Sequence, residues 1–388
     1  MMSNQDISET LSGPLQHFRE TLQRPSLNPS SLTEALRALV DQVFDDQHQH
    51  RDNKLAFTQI LPEDLIDLCM GRLAELQDNW SVGLARGALF SLAALKVRPS
   101  KQVGTFLVQQ VTNAISRMDI KNIKEVLVDC AQLGLVLPHN TVHAVNSRVR
   151  GLTSQFKEKE KEFFIQTLWA MAILDAALVC SPLTRPPSFC DSFRTAVQDS
   201  RISTLIRNME KYLKDPRMRQ KGADAGLYFA GRFLLTPPPE DPTHSKFEKR
   251  VAGKLSKAPG VQILEPAYLP VSGHYMDLTI SFCGAAGQHK IVHIDCDGPQ
   301  HQVFAVGVGP DLNGPGILRT VLATREIGKR EYLVRAAKGP ATENYFSDAL
   351  SNVAAEEPGA YYVGPDGQMR QIISQEEARQ VPLANFTW

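Results

Sequence analysis

The period of the apolar residues changes once along the chain, at a proline-rich stretch, and nothing else constrains the fold as strongly. Residues 234–245 read LLTPPPEDPTHS. Proline fixes φ and donates no amide hydrogen, so this stretch is neither a helix interior nor a central strand. Before it, apolar residues recur with a helical period. After it, they alternate as they do in strands. The chain is therefore expected to have two parts: a helical array over residues 31–233 and an α/β domain over 245–388. A linker over 234–244 joins them, and a polar, flexible leader over 1–30, with Pro14, Pro25 and Pro29, precedes them. A length of 388 residues leaves room for two cores.

In the first part, Leu36, Leu39, Val40 and Val43 share one helical face, and Ser31 is placed to cap that helix. A small-apolar phrase then recurs as LFSLAAL at 89–95, LVDCAQL at 127–133 and TLWAMAIL at 167–174. Ala93, Ala131 and Ala172 occupy equivalent places in it. Each of the first two phrases is followed by a break, at Pro99 or Pro138, and then by a second amphipathic helix. Two helices in roughly 40 residues is the pattern of a stacked helical solenoid. Charge is uneven along the chain. The centre, from about residue 79 to 240, is basic between two acidic ends, although the whole chain is formally neutral. Near the linker, Arg207, Lys211 and Lys214 share one face of a helix, and Arg217 and Arg219 follow, forming a basic ridge suited to phosphate.

In the second part, SKFEKRVAGKL reads as a helix with Phe247, Val251 and Leu255 on one face. Two alternating runs follow, YMDLTISF and KIVHIDCDG, on either side of the turn GAAGQ. Pairing them as a hairpin sets Leu278 opposite Ile294 and Asp277 opposite Asp295, with the apolar set on one face and the aspartates on the other. Like charges directly opposed destabilise a sheet, and Asp297 on the same face adds to the cost. Three such carboxylates are better tolerated when a hard divalent cation compensates them. That points to Mg²⁺ or Mn²⁺ at Asp277 and Asp295 and to phosphodiester chemistry. His301 would serve as general acid or base, or would contact the phosphate, with Gln300 beside it. The alternative is a solvent-facing hairpin in which Asp297, Gly298 and Pro299 only make a turn.

The string IDCDGPQHQ at 294–302 resembles the signature of the RAP domain, in which a strand ends in an acidic residue followed by Asp-Gly-Pro and a His. YMDLTI, SKFEKRVAGKL, GILRTVLA with Arg319, and REYLVRA resemble the strands and helices that surround that signature. The likeness covers about residues 244–340. RAP domains follow degenerate helical repeats in FAST-kinase-like, octotricopeptide and heptatricopeptide repeat proteins, and LWAMAIL at 168–174 resembles a helix of such repeats. The resemblance implies α plus α/β architecture: an N-terminal α-helical repeat array, then a C-terminal α/β domain like the PD-(D/E)XK nucleases. It also implies RNA as partner, in RNA processing or stability. By position, Glu248, Asp277 and Asp295 fit the acidic residues of that nuclease fold, while Asp297 stands where its Lys would be.

The expectation is an RNA-binding protein with a metal-dependent endoribonuclease site at Asp277, Asp295, Asp297, His301 and Glu248. RNA contacts are expected from Arg207, Lys211, Lys214, Arg217, Arg219, Gln300 and Arg319. The alternatives are an RNA-binding adaptor without catalysis and a DNA endonuclease. No organic cofactor or membrane partner is indicated. Six scattered cysteines without a CxxC pair suit a reducing compartment. The N-terminus resembles neither a secretory signal nor a transit peptide, so the cytoplasm, or export by a specialised system, is expected over an organelle.

Overall fold

The computed structural model describes residues 4–49, 61–152, single positions between 160 and 174, and then 245–269, 274–283, 289–298, 301–306, 309–339 and 357–380. Helices and mixed sheets make this an α plus β protein. The chain divides into two compact units: residues 1–152 with 299–313, and residues 153–298 with 314–388. The expected linker and basic ridge lie outside the described residues.

The first unit is mainly helical: α1 (Asn4–Leu22), α2 (Pro29–Gln49), α3 (Glu63–Glu75), α4 (Val82–Ala94), α5 (Lys101–Thr112), α6 (Ile120–Leu133) and α7 (His139–Leu152). A two-residue strand, β1 (Val97–Arg98), follows α4. The expected flexible leader is instead helical through α1. Phe18 and Leu22, one turn apart, are buried, and Arg19 pairs with Asp64 of α3 at 2.6 Å. This short apolar seam is what the polar composition of the segment hid. α2 also begins earlier than expected. Pro29 opens it, and Asn28 Oδ1, not Ser31, accepts an orphan amide, from Ser31 at 3.0 Å.

α4 packs against α2 and α6, and α5 packs against α3 and α7. Small residues in the recurring phrases and just before the first one permit close approach: Ala93 and Ala131, and Ala88 ahead of them, are buried, and a Cβ on Gly87 would meet Thr33 Cγ2 of α2 at 2.8 Å. α4 and α6 end a few residues before Pro99 and Pro138, and α5 and α7 start just after them. Ser100 Oγ accepts from the Val103 amide at 3.3 Å to open α5, and Asp119 Oδ1 accepts from Asn122 at 2.8 Å to open α6.

The second unit is built on a six-stranded sheet. α8 (Lys246–Leu255) leads into β2 (Val261–Leu264), the short pair β3 (Tyr268–Leu269) and β4 (His274–Tyr275), then β5 (Leu278–Cys283) and β6 (His289–Asp297). The chain next forms, within the first unit, β7 (Gln302–Ala305), which pairs with β1, and β8 (Gly309–Leu312), which pairs with β7. It resumes with α9 (Gly314–Glu326), β9 (Glu331–Ala337), β10 (Gly359–Val363), β11 (Met369–Ser374) and α10 (Gln375–Gln380). The strand order is β11-β10-β9-β6-β5-β2. β2, β5 and β6 form an antiparallel run; β9 is parallel to β6, as a crossover through a helix requires.

The register is the one the alternation predicts: Leu278 pairs with Ile294, and Thr279 with His293. Leu278, Ile280, Val292, Ile294, Cys296, Tyr332, Val334 and Tyr361 form one core face with Phe247, Val251 and Leu255 of α8. Ser245 Oγ caps α8 by accepting from the Glu248 amide at 3.1 Å. The opposite face is not left to solvent, as a free hairpin would leave it. α9 covers part of it, and that face carries the polar residues of interest.

Candidate functional site

The sheet places the carboxylates. Asp295 and Asp297, two residues apart on β6, share a face. They are nearly inaccessible, at 7% and 1% exposed. Asp277 stands just before β5, across from Asp295. Its Oδ2 accepts from the Cys296 amide at 2.6 Å.

β9 brings in a residue that the sequence pattern did not single out. Arg335 lies directly across from Asp295 in the parallel register and is 0% exposed. Its guanidinium binds Asp297 at both carboxylate oxygens: Nε donates to Oδ2 at 2.7 Å and Nη2 to Oδ1. Nη2 also lies 2.9 Å from Asp295 Oδ2, an ion pair by distance but without hydrogen-bond alignment. Nη1 donates to Gly316 O and Thr320 Oγ1 of α9, both at 3.1 Å. The fork of an arginine suits such bidentate recognition of a carboxylate. A lone arginine inside the run YLVRAA was the available signal: a charge in a strand buried on both faces has to be paired.

Electrostatics follow from this packing. Burial raises the Asp277 carboxyl to about 9, helped by the charge of Asp295, while the Cys296 amide opposes the rise. The charge of Glu248 and a hydrogen bond shared with Asp295 raise it further. At neutral pH Asp277 is therefore the protonated member of an acid pair. Burial also raises Asp297, to about 6; Arg335 opposes that rise, Asp295 adds to it, and the charge of Arg319 on α9 opposes it again. Burial works against the charge of Arg335, but Asp297 and Asp295 outweigh it and hold the guanidinium above its ordinary range. Burial, and then Asp277, push the Cys296 thiol up, so it is not a nucleophile at neutral pH.

The structure thus brings Glu248, Asp277, Asp295, Asp297 and Arg319 into one electrostatic neighbourhood. His301 belongs to the other unit, where its carbonyl accepts from the Asn313 amide at 3.1 Å. Gln300, Arg207, Lys211, Lys214, Arg217 and Arg219 lie outside the described residues. Among the described residues, no group of three or more His, Cys, Asp or Glu is arranged to hold a metal ion. Asp297 is bound to Arg335 at both oxygens, and Asp277 to the Cys296 amide at one. Both oxygens of Asp297 already accept from Arg335, which competes with a cation or a water for them.

A second polar row crosses the same face. Thr279 Oγ1 accepts from the Ala267 amide at 3.1 Å and lies 3.3 Å from His293 Nδ1, and His293 Nε2 lies 2.8 Å from Glu331 Oε2. With both ring nitrogens engaged, His293 ties β5, β6 and β9 together. No protein-family model matches the chain, and no curated protein matches it significantly.

Proposed function

We propose that this is an RNA-binding adaptor in RNA processing or stability, whose acidic strand is a self-compensated structural element and not a catalytic centre. The observation that carries the reading is the pairing of Arg335 with Asp297 and Asp295. Three opposed carboxylates need a positive charge. The guanidinium supplies it, and the proton held on Asp277 removes a further negative charge. The resemblance to RAP-domain proteins supports RNA as the partner, as does the basic centre of the chain. The helix, antiparallel strands, crossover helix and parallel strand follow the order that a PD-(D/E)XK-like domain would have. Helices that alternate between two rows of neighbours suit a repeat array holding an extended, single-stranded RNA by its backbone.

A second reading, a metal-dependent endoribonuclease, is favoured by one observation: the charges of Glu248 and Asp295 both bear on Asp277. One experiment separates the two. Purified protein is incubated with labelled RNA and DNA in Mg²⁺, in Mn²⁺ or in chelator, and its melting temperature is followed in each. The adaptor binds RNA more weakly as salt rises, cuts neither nucleic acid and gains no stability from either ion. Cleavage that is lost in Asp295→Asn would overturn it in favour of the nuclease, and cleavage of DNA alone in favour of a DNA endonuclease. Replacing Arg207, Lys211 and Lys214 with Glu should weaken RNA binding without regard to sequence, since phosphate contacts position and do not specify.

A further inference from the structure

We propose that β7 and β8 are a strap that the helical unit holds as part of its own sheet, with Arg98 as the clasp. This goes beyond the RNA-binding reading and does not depend on it. The chain leaves the second unit after Gly298 and re-enters it at Gly314, and every residue between belongs to the first. There β7 pairs in parallel with β1 and antiparallel with β8, and the Phe304 amide donates to Lys96 O at 2.8 Å. Val303, Phe304 and Leu312 are buried.

Backbone pairing alone is a weak anchor here. β1 has two residues, and a short isolated hairpin is at best marginally stable. Arg98 adds what the ladder lacks. Its Nε donates to Leu133 O, at the end of α6, at 2.5 Å. Its Nη2 donates to Leu312 O at 2.6 Å, and its Nη1 to Asp311 Oδ2 at 3.0 Å. One side chain therefore ties the end of a helix to the outer strand of the hairpin. The carbonyls closing a helix carry partial negative charge, which suits a cation. Two backbone features make room for the arrangement. Gly134 takes the left-handed conformation, φ 63°, where a Cβ would stand 2.9 Å from Arg98 Nη2. Lys96 takes φ 54°, unusual for a residue with a Cβ, and it is the Lys96 carbonyl that accepts the strap.

The string IDCDGPQHQ is thereby shared between the units, with Asp297 and Gly298 in one and His301 in the other. A segment joined to the helices through a two-residue ladder, a few buried side chains and Arg98 opens locally before its unit unfolds. The test is hydrogen exchange read by mass spectrometry on the full chain. In Arg98→Met, the amides of 302–305, 309, 311 and 312 should exchange about tenfold faster or more, since hydrogen bonds to a charged group are being removed. Amides of α2, β6 and β9 should keep their protection. Unchanged exchange in the strap would overturn the proposal, and so would an equal increase throughout the first unit. Should Arg98→Met not fold, Asp311→Asn removes only the ion pair and keeps the two carbonyl contacts. A smaller increase confined to 302–312 is then expected, and no increase there would overturn the clasp.

Discussion

Arg335 shows how one residue decides the character of a site. Burying a guanidinium is unfavourable unless carboxylates and acceptors surround it, and here Asp297, Asp295, Gly316 O and Thr320 Oγ1 do so. Arg335→Met should therefore lose more than packing. It leaves Asp295 and Asp297 facing each other and Asp277 without their counter-charge, and removing one partner of a buried pair costs about 3–5 kcal/mol. Urea denaturation of the variant should show that loss. Arg335→Lys should recover only part of it, because an ammonium cannot hold both oxygens of Asp297 in a planar fork. Adding Asp297→Asn to Arg335→Met should regain stability relative to the single variant, since the double variant buries one carboxylate fewer. A double variant weaker than the single one would count against charge compensation as the role of Arg335.

At the scale of elements, connections carry as much specification as strands and helices do. Gly134 closes α6 in the left-handed conformation beside Arg98. Gly134→Ala should lower stability by about 1–2 kcal/mol, from the unfavourable φ and the displaced guanidinium together, read as a lower melting temperature. Ser245→Ala, which removes the cap of α8, should cost about 1 kcal/mol. Elements with a strong period were legible in the sequence: the α8 face of Phe247, Val251 and Leu255, and the pairing of Leu278 with Ile294, because a one-residue slip would invert both faces of the hairpin. Asp277 and Asp295 came together for the same reason. What was not legible depended on distant pairing. The partner of Asp297 comes from a strand 38 positions further along, and the docking of β7 on β1 joins residues about two hundred positions apart. Neither leaves a local period. α1 was not legible because, among its described side chains, the buried apolar ones are Phe18 and Leu22, too few to raise a polar segment above its composition.

For the whole molecule, the raised carboxyls set the direction of its pH response. Asp277 rises to about 9, Asp129 on α6 to about 7 and Asp297 to about 6, in each case chiefly through burial. All three lose their protons near pH 4 when the chain unfolds. Between that point and the folded value, the folded state holds more protons than the unfolded one, so stability falls as pH rises. The full chain should thus melt at its highest temperature in mildly acidic solution and lose stability steadily from about pH 5 to pH 9. The last part of that loss, above the values of Asp297 and Asp129, belongs to Asp277. Asp277→Asn, which keeps the shape and an acceptor for the Cys296 amide but cannot ionise, should flatten the curve at its alkaline end and melt above the wild type at pH 9. Calorimetry on both proteins across that range, each with and without Mn²⁺, decides the matter. An ion bound at Asp277 and Asp295 would reverse the wild-type slope, because it favours the ionised carboxylates, and the asparagine variant would then be the less stable protein in Mn²⁺. A wild type whose alkaline loss is the same with and without Mn²⁺ is what a sheet neutralised by its own arginine requires.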